Sequence, residues 1–85
     1  MEYRIGQVIR SKAGRDNGKT FMVVETDGNY VYVADGETRR LENTKKKKLK
    51  HIQGSYSISE EIAQRIKDGT AENYMMRQFL ALIKE

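Results

Sequence analysis

The sequence predicts a mainly β fold followed by two short C-terminal α-helices, and three observations predict it. Short apolar runs separated by turns with Gly and Asp fill residues 1–54, which is typical of a small barrel or closed sheet. Beyond Gly54 the apolar residues recur every three or four positions, which is typical of helices. The charge also changes there: residues 1–54 contain twelve Lys and Arg against seven Asp and Glu, whereas residues 55–85 contain four against five.

The composition excludes several classes of protein. The chain has 85 residues and no Cys, so we expect one small domain without a disulfide framework or a thiolate metal site. No apolar run approaches the ~18 residues of a membrane span, and the first residues do not open a signal peptide. These features predict a cytoplasmic protein that does not enter a membrane.

Four or five short strands fit residues 1–54. The first is expected at residues 7–12 and the second at residues 19–25, because each contains an apolar run of strand length. A turn at residues 27–29 contains Asp-Gly, which favours the tight turns of hairpins. It therefore predicts that the second strand pairs with a third at residues 30–34.

The remaining strands are expected from shorter patterns. A turn at residues 35–36 precedes a short strand at residues 38–41, and the last strand is expected at residues 48–52. In that last strand Leu49 points inward and the lysine on each side points outward, since side chains alternate along a strand.

The first helix is predicted by a narrow buried stripe beside Ala63, formed by isoleucines at every fourth position: Ile58, Ile62 and Ile66. Ser57 lies three residues before Glu60 and fits a capping box, and Ser59 is the alternative N-cap. Gly69 is expected to close the helix just after its C-cap.

The second helix is predicted at residues 71–84, with Thr70 as its N-cap. Asn73, Arg77 and Lys84 gather on one face of this helix. The apolar residues cover roughly half of the circumference on the other side: Ala71, Met75, Met76, Phe79, Leu80, Leu82 and Ile83.

A basic loop between the first two strands is the feature that points most directly to function. It contains two glycines, Gly14 and Gly18, among three basic residues: Lys12, Arg15 and Lys19. Glycine adopts positive φ without steric cost and lets the backbone approach a ligand. Together with the positive charges, this flexibility suits a loop that contacts phosphates.

The pattern extends beyond this loop. Gly6-x-Val8, then Gly14-x-x-x-Gly18-Lys19 and alternating apolar residues, resembles a KOW motif, the RNA-binding strand-loop-strand element of several ribosomal proteins and transcription elongation factors. The resemblance covers residues 4–52, including residues 29–36 and the basic segment 43–51. Over that length the chain is similar to a family of eukaryotic and archaeal large-subunit ribosomal proteins and their small bacterial relatives.

The resemblance implies both a fold and a function. The fold is an SH3-like barrel of the KOW type in residues 1–54, with residues 55–85 as a helical extension packed on it. The function is that of a non-catalytic RNA-binding protein similar to ribosomal proteins, which acts in translation within a ribonucleoprotein. Gly14, Asn17 and Gly18 would shape the motif loop.

Basic residues predict the surface that contacts RNA, because lysine and arginine neutralise phosphates without reading the base sequence. The alternative is a solvated basic face that only keeps the protein soluble. Ribosomal or other structured RNA is the expected partner, and no cofactor is expected. The candidate contacts are Lys12, Arg15, Lys19, Arg39, Arg40, Lys45, Lys46, Lys47, Lys48, Lys50 and His51.

Two tyrosines are candidates for base stacking. Tyr30 and Tyr32 lie two positions apart, so on a strand they share a face, with Val31 and Val33 on the other. One interpretation is a platform for unpaired bases, since stacking contributes ~1–3 kcal/mol per base. The other is that the rings cover the core of a small barrel.

The sequence contains no recognisable catalytic or metal-binding set. His51 is the only histidine and Cys is absent, so neither a nucleophile–base pair nor a ligand cluster is apparent. Asp16, Asp35 and Glu37 occur in turn sequences, where short acidic side chains ordinarily bond their own backbone. We therefore expect no enzymatic activity, and His51 is expected to donate to phosphate or to lie at a strand edge.

The C-terminal helices have two interpretations. Their apolar faces either pack on each other and on an open side of the barrel, which enlarges a marginal core, or leave a patch for a partner or for self-association. The second interpretation gives an alternative function, an adaptor that docks on a translation or transcription factor through the barrel or this Met-rich helix. The residues of that patch would be Met75, Met76, Phe79 and Leu80.

Overall fold

The computed structural model describes residues 2–83, which form a five-stranded antiparallel sheet followed by two helices. The strands are β1 (Gln7–Ser11), β2 (Thr20–Asp27), β3 (Tyr30–Ala34), β4 (Lys45–Lys48) and β5 (Ile52–Ile58). The helices are α1 (Glu60–Asp68) and α2 (Asn73–Ile83). The predicted class, mainly β with C-terminal α-helices, is therefore confirmed.

The strand order in the sheet is β4-β3-β2-β1-β5, so β4 and β5 form its two edges and the sheet is not closed. These two strands are consecutive in the chain, and one 3₁₀ turn, Leu49–His51, connects them. The pairing register shifts between Gln7 and Ile9 of β1 and between Val23 and Glu25 of β2. Such bulges bend a strand and increase its twist, which allows this small sheet to curve around a core.

The first three strands follow the sequence pattern closely. β1 and β3 have the predicted positions to within one residue, and β2 extends two residues beyond its predicted end. Gly28 and Asn29 form the turn that joins β2 to β3, and Asp27 pairs with Tyr30 across it. The hairpin predicted from the Asp-Gly pair is therefore confirmed.

The short strand predicted after this hairpin is wrong, because residues 35–44 form a loop, called here the β3–β4 loop. The Asp35 carboxylate organises it. Its Oδ1 accepts hydrogen bonds from the backbone N–H groups of Glu37 (2.9 Å) and Arg39 (2.8 Å), and its Oδ2 accepts one from the Thr38 hydroxyl (2.6 Å). A carboxylate that binds nearby backbone in this way competes with strand pairing.

The last predicted strand, at residues 48–52, is also wrong. These residues end β4, form the 3₁₀ turn and begin β5, while the lysine run itself forms β4. Four consecutive lysines show no apolar alternation, so the pattern does not reveal a strand. Leu49 leaves the ladder but packs at the edge of the core. β5 continues to Ile58, so the predicted boundary after Gly54 falls inside a strand.

Helix α1 starts at the second of the two predicted caps. Ser59 Oγ accepts a hydrogen bond from the backbone N–H of Ile62 (3.1 Å), whereas Ser57 and Ile58 belong to β5. The stripe of α1 therefore lacks its first predicted isoleucine. Gly69 ends the helix in the left-handed conformation, as predicted.

Helix α2 begins later than predicted. Thr70 is not its N-cap, because the Thr70 hydroxyl donates instead to the carbonyl O of Arg65 (3.4 Å) at the end of α1. The last predicted helical residue, Lys84, lies outside the described residues. Neither helix within residues 2–83 is long and apolar enough to span a membrane.

Two hydrophobic clusters stabilise the fold. The first consists of sheet residues that share one face: Ile9, Phe21, Val23, Val31, Val33 and Ile52. The second joins the sheet to both helices through Met22, Ala34, Ile62 and Met76. Burial of one such side chain contributes ~1.5–3 kcal/mol, so the helices add substantially to the core of a small chain.

Candidate nucleic-acid interface

The loop between β1 and β2, residues 12–19, is a compact turn. Gly14–Asp16 form one turn of 3₁₀ helix, and the N–H of Gly18 donates to the carbonyl O of Ser11 (2.8 Å). Gly14 and Gly18 have φ angles of 75° and 89°, and apart from their chain neighbours no described residue lies within 4 Å of where a Cβ would stand. These glycines are therefore required for backbone conformation and not for close packing.

Two lysines of β4, one buried and one half-buried, anchor this loop. Lys47 Nζ donates to Ser11 Oγ (2.9 Å) and to the carbonyl O of Ala13 (3.4 Å), and it lies 3.6 Å from Asp16 Oδ2. Lys45 Nζ lies 3.3 Å from the same carboxylate oxygen. Lys47 is only 7% exposed, so its ammonium is used within the protein.

Strand alternation explains why these two lysines turn inward. β4 pairs with β3 in a register that places Lys45 opposite Val33 and Lys47 opposite Val31. Directly opposite residues of an antiparallel pair share a face, and the two valines belong to the first hydrophobic cluster. Lys45 and Lys47 therefore lie on the core side of the sheet, where both contact Asp16.

The other two lysines of the run lie on the outer face. Lys46 is opposite Tyr32 and Lys48 is opposite Tyr30, so two lysines and two tyrosines share one surface. Lys46 Nζ lies 4.1 Å from the centroid of the Tyr30 ring. An exposed cation–π contact of this kind contributes ~0.5–1 kcal/mol, less than the ~1–3 kcal/mol of a stacked base.

The two tyrosine rings lie on the face of β3 opposite Val31 and Val33, which belong to the first hydrophobic cluster. Tyr30 and Tyr32 are both half-buried. The geometry thus meets the requirement for stacking, a ring on an outer face among positive charges.

The charge of Asp16 is compensated by two lysines of β4 and one lysine of the loop. Partial burial raises the pKa of Asp16, but the hydrogen bond and charge of Lys45 and the charges of Lys47 and Lys19 outweigh it and hold the pKa below its ordinary value of 3.8. Asp16 is therefore ionised at neutral pH, and its lysine partners reduce the repulsion that it exerts on a polyanion.

The basic residues of the β1–β2 loop are exposed to solvent. The 3₁₀ turn Leu49–His51, between β4 and β5, lies beside this loop. The N–H of Lys12 donates to the carbonyl O of His51 (2.8 Å), which brings the loop and the turn together. His51 is half-buried, and Asn17 is exposed in the loop. We call the exposed cationic residues of this region the basic face: Lys12, Arg15, Lys19 and Lys50.

Arg39 and Arg40 belong to the β3–β4 loop. Arg39 is half-buried, and Arg40 Nε forms an exposed ion pair with Glu42 Oε2 (3.2 Å). A cleft of about 370 Å³ lies between the β3–β4 loop, α2 and the β1–β2 loop, and Asp35 and Glu37 are among its lining residues. Lys19 and Arg77 line the same cleft, so positive and negative groups are mixed there.

Helix α2 fixes the β3–β4 loop, a role that the sequence pattern did not indicate. Asn73 Oδ1 accepts a hydrogen bond from the backbone N–H of Leu41 (2.8 Å), and Arg77 Nη1 donates to the carbonyl O of Gly36 (2.7 Å). Both side chains belong to the polar face of the predicted helix. The polar face of α2 is therefore used for intramolecular contacts.

Most apolar residues of the expected partner patch on α2 contribute to the interior. Met76 and Leu80 are buried, and Met75 and Phe79 are half-buried against the second hydrophobic cluster. The large hydrophobic side chains that α2 does expose are Leu82, which is 84% accessible, and Tyr74, which is 44% accessible. Internal packing thus accounts for the apolar character of the four patch residues.

Metal ligands are not gathered anywhere in residues 2–83, because no three His, Asp or Glu side chains there are arranged to hold an ion. The basic face presents ammonium and guanidinium groups, and the outer face of β3 presents the phenol rings of Tyr30 and Tyr32. Such groups bind phosphates and bases.

Comparison with known proteins assigns no family to the chain. No protein-family model matches it, and no curated protein matches it.

Proposed function

We propose that the chain is a non-catalytic RNA-binding protein, similar to ribosomal proteins with KOW motifs, that contacts RNA phosphates through the basic face. The observation that carries the proposal is the anchored β1–β2 loop. Its acidic residue, Asp16, is neutralised by Lys45 and Lys47, while its other charged residues are positive and exposed.

The anchoring supports binding because it fixes the loop before any ligand arrives. Three sets of contacts restrict the loop. They are its own 3₁₀ turn at Gly14–Asp16, its backbone hydrogen bonds to β1 and the side-chain contacts of Lys47. A ligand then loses less binding energy to ordering of the loop. Exposed lysine and arginine side chains on such a support suit a phosphate backbone of defined shape.

We infer an SH3-like, KOW-type arrangement of the sheet. It is supported by the bulges in β1 and β2, by the 3₁₀ turn between the edge strands, and by contacts across the sheet. Lys47 of β4 reaches Ser11 of β1, although two other strands separate β4 from β1 in the sheet order. The resemblance of residues 4–52 to a KOW motif agrees with this arrangement. The proposal includes a role in translation and a cytoplasmic location.

A charge-reversal experiment tests the proposal. The variant Lys12→Glu/Arg15→Glu changes two residues of the basic face, and Arg65→Glu/Lys67→Glu makes the same change of net charge on α1. Helix α1 begins beside Gly6 at the opposite end of β1, where the N–H of Ser59 donates to the Gly6 carbonyl O (3.1 Å). Affinity for a ribosomal RNA fragment is measured by fluorescence anisotropy at an ionic strength of about 0.15 M, where the Debye length is ~8 Å.

We expect the loop variant to bind more than about tenfold more weakly, because two phosphate contacts are lost and two repulsions are added. The α1 variant should remain close to the unmodified protein. Equal weakening of both variants would mean that net charge alone drives binding, and it would contradict the assignment of the basic face.

A further inference from the structure

A second cleft, of about 380 Å³, lies where β3 and β4 meet the 3₁₀ turn Leu49–His51. It is lined by an aromatic ring, an aliphatic side chain, an amide and two lysines: Asn29, Tyr30, Lys48, Leu49 and Lys50. The combination matches the parts of a nucleotide, which has a flat base with apolar faces and polar edges and a charged phosphate.

We propose that this cleft binds one unpaired nucleotide of single-stranded RNA, with its base against the Tyr30 ring and its phosphates beside Lys48 and Lys50. The proposal rests on the RNA-binding function proposed above, and it names the form of RNA that the site selects.

The aromatic wall of the cleft is held in place by the fold. Tyr30 pairs with Lys48 across the β3–β4 ladder, and the N–H of Leu49 donates to the carbonyl O of Asn29 (3.2 Å). Leu49 also packs against the first hydrophobic cluster. A ring positioned in this way loses little freedom when a base stacks on it, which favours binding.

The positive charges around the ring are complementary to the phosphates of the same nucleotide. Lys48 and Lys50 are both exposed, and Lys46 Nζ lies over the Tyr30 ring. A base that replaces this ammonium gains more from stacking than the cation–π contact loses. The displaced Lys46 ammonium is then free to contact a phosphate.

An unpaired base is the form of RNA that fits, because the bases of a duplex are stacked on each other and do not present their faces to a protein. Stacking on one ring also tolerates any base, since every base has a π-face. The cleft therefore selects single strands, loops or ends over continuous duplex, without strong sequence preference.

The test compares two RNAs with equal numbers of phosphates, a blunt duplex and a hairpin with an unpaired loop. Affinities are measured for the unmodified protein, Tyr30→Leu, Tyr30→Phe and the matched control Tyr56→Leu, which changes an exposed ring on β5 outside the cleft. We expect Tyr30→Leu to weaken hairpin binding about 5- to 150-fold and duplex binding little. Tyr30→Phe keeps the ring and should bind as the unmodified protein does.

A spectroscopic measurement covers the case in which Tyr30→Leu does not fold. The hairpin carries 2-aminopurine at an unpaired position, and stacking on Tyr30 should quench its fluorescence with the unmodified protein, Tyr30→Phe and Tyr56→Leu. The proposed base site would be overturned if 2-aminopurine fluorescence did not change when the unmodified protein binds. It would also be overturned if Tyr30→Leu kept its affinity for the hairpin and bound the duplex equally well. Absence of binding to both RNAs by the unmodified protein would instead contradict the RNA-binding function itself.

Discussion

Lys46 and Lys47 are adjacent and chemically identical, yet they have different surroundings. Lys47 is 7% exposed and bonds Ser11 and Ala13, whereas Lys46 is exposed on the outer face beside Tyr30. The difference follows from strand alternation, which sends successive side chains to opposite faces. The lysine run of β4 therefore consists of two sets. Lys45 and Lys47 lie on the core side, and Lys46 and Lys48 lie on the outer face.

This division leads to a prediction about stability. Lys47→Ala removes the donor to Ser11 Oγ and leaves Asp16 without its more buried cation, so we expect a loss of ~1–3 kcal/mol in the free energy of unfolding. Lys46→Ala, the matched control, should change it by less than about 0.5 kcal/mol. Urea denaturation followed by circular dichroism measures both. Equal effects of the two substitutions would show that the inward contacts of Lys47 do not stabilise the fold.

Asp16 makes part of this stability dependent on pH. Its pKa is lower in the folded protein than the ordinary value of 3.8, so its stabilising contribution is complete above that value and is lost as the pH falls through the folded pKa. We expect the unmodified protein to be more stable than Asp16→Asn at pH 7, and the difference to shrink below about pH 4. Denaturation midpoints between pH 7 and pH 3 test this. A difference that is constant over the range would exclude the ion pairs as its cause.

At the scale of elements, α2 and the β3–β4 loop are in close contact at Gly36. A Cβ on this residue would collide with the backbone carbonyl O of Asn73, and its φ of 80° is one that other residues rarely adopt. Arg77 donates to the Gly36 carbonyl O at the same place. The loop therefore depends on a helix more than thirty residues later in the chain.

Because of this contact, we expect substitution by alanine to destabilise the fold more at Gly36 than at Gly18. Gly18 also has a positive φ, of 89°, but it stands in open space. Gly18→Ala should lower the free energy of unfolding by ~1–2 kcal/mol, because alanine is strained in the left-handed conformation. Gly36→Ala should lower it by at least about 1 kcal/mol more, because α2 must also shift. Thermal unfolding of the two variants measures the difference. Similar costs would mean that α2 adjusts freely to the added methyl group.

At the scale of the whole molecule, local patterns in the sequence were enough for some elements. The hairpin turn, the Ser59 cap and the Gly69 stop each depend on residues close together in the chain, and each was available as a prediction. β4 and the loop before it were not predictable in this way. β4 has no apolar alternation, and its strand conformation depends on pairing with β3.

The candidate site was also only partly predictable. The basic residues of the β1–β2 loop were identified from their spacing with Gly14 and Gly18, because both signals are local. The inward position of Lys45 and Lys47 depends on the register between β4 and β3, which the sequence did not specify. The roles of Asn73 and Arg77 depend on how α2 docks, since their polar side chains would equally suit solvent.

The proposed function requires that the basic face binds RNA phosphates. The direct measurement is the affinity of the unmodified protein for a ribosomal RNA fragment and for a DNA duplex of similar length, each titrated across salt concentration. We expect RNA to bind more tightly, with log K falling against log salt at a slope of about −3 or steeper, which corresponds to about four or more phosphate contacts. Weak and equal binding to RNA and DNA with a slope shallower than about −1 would contradict the claim.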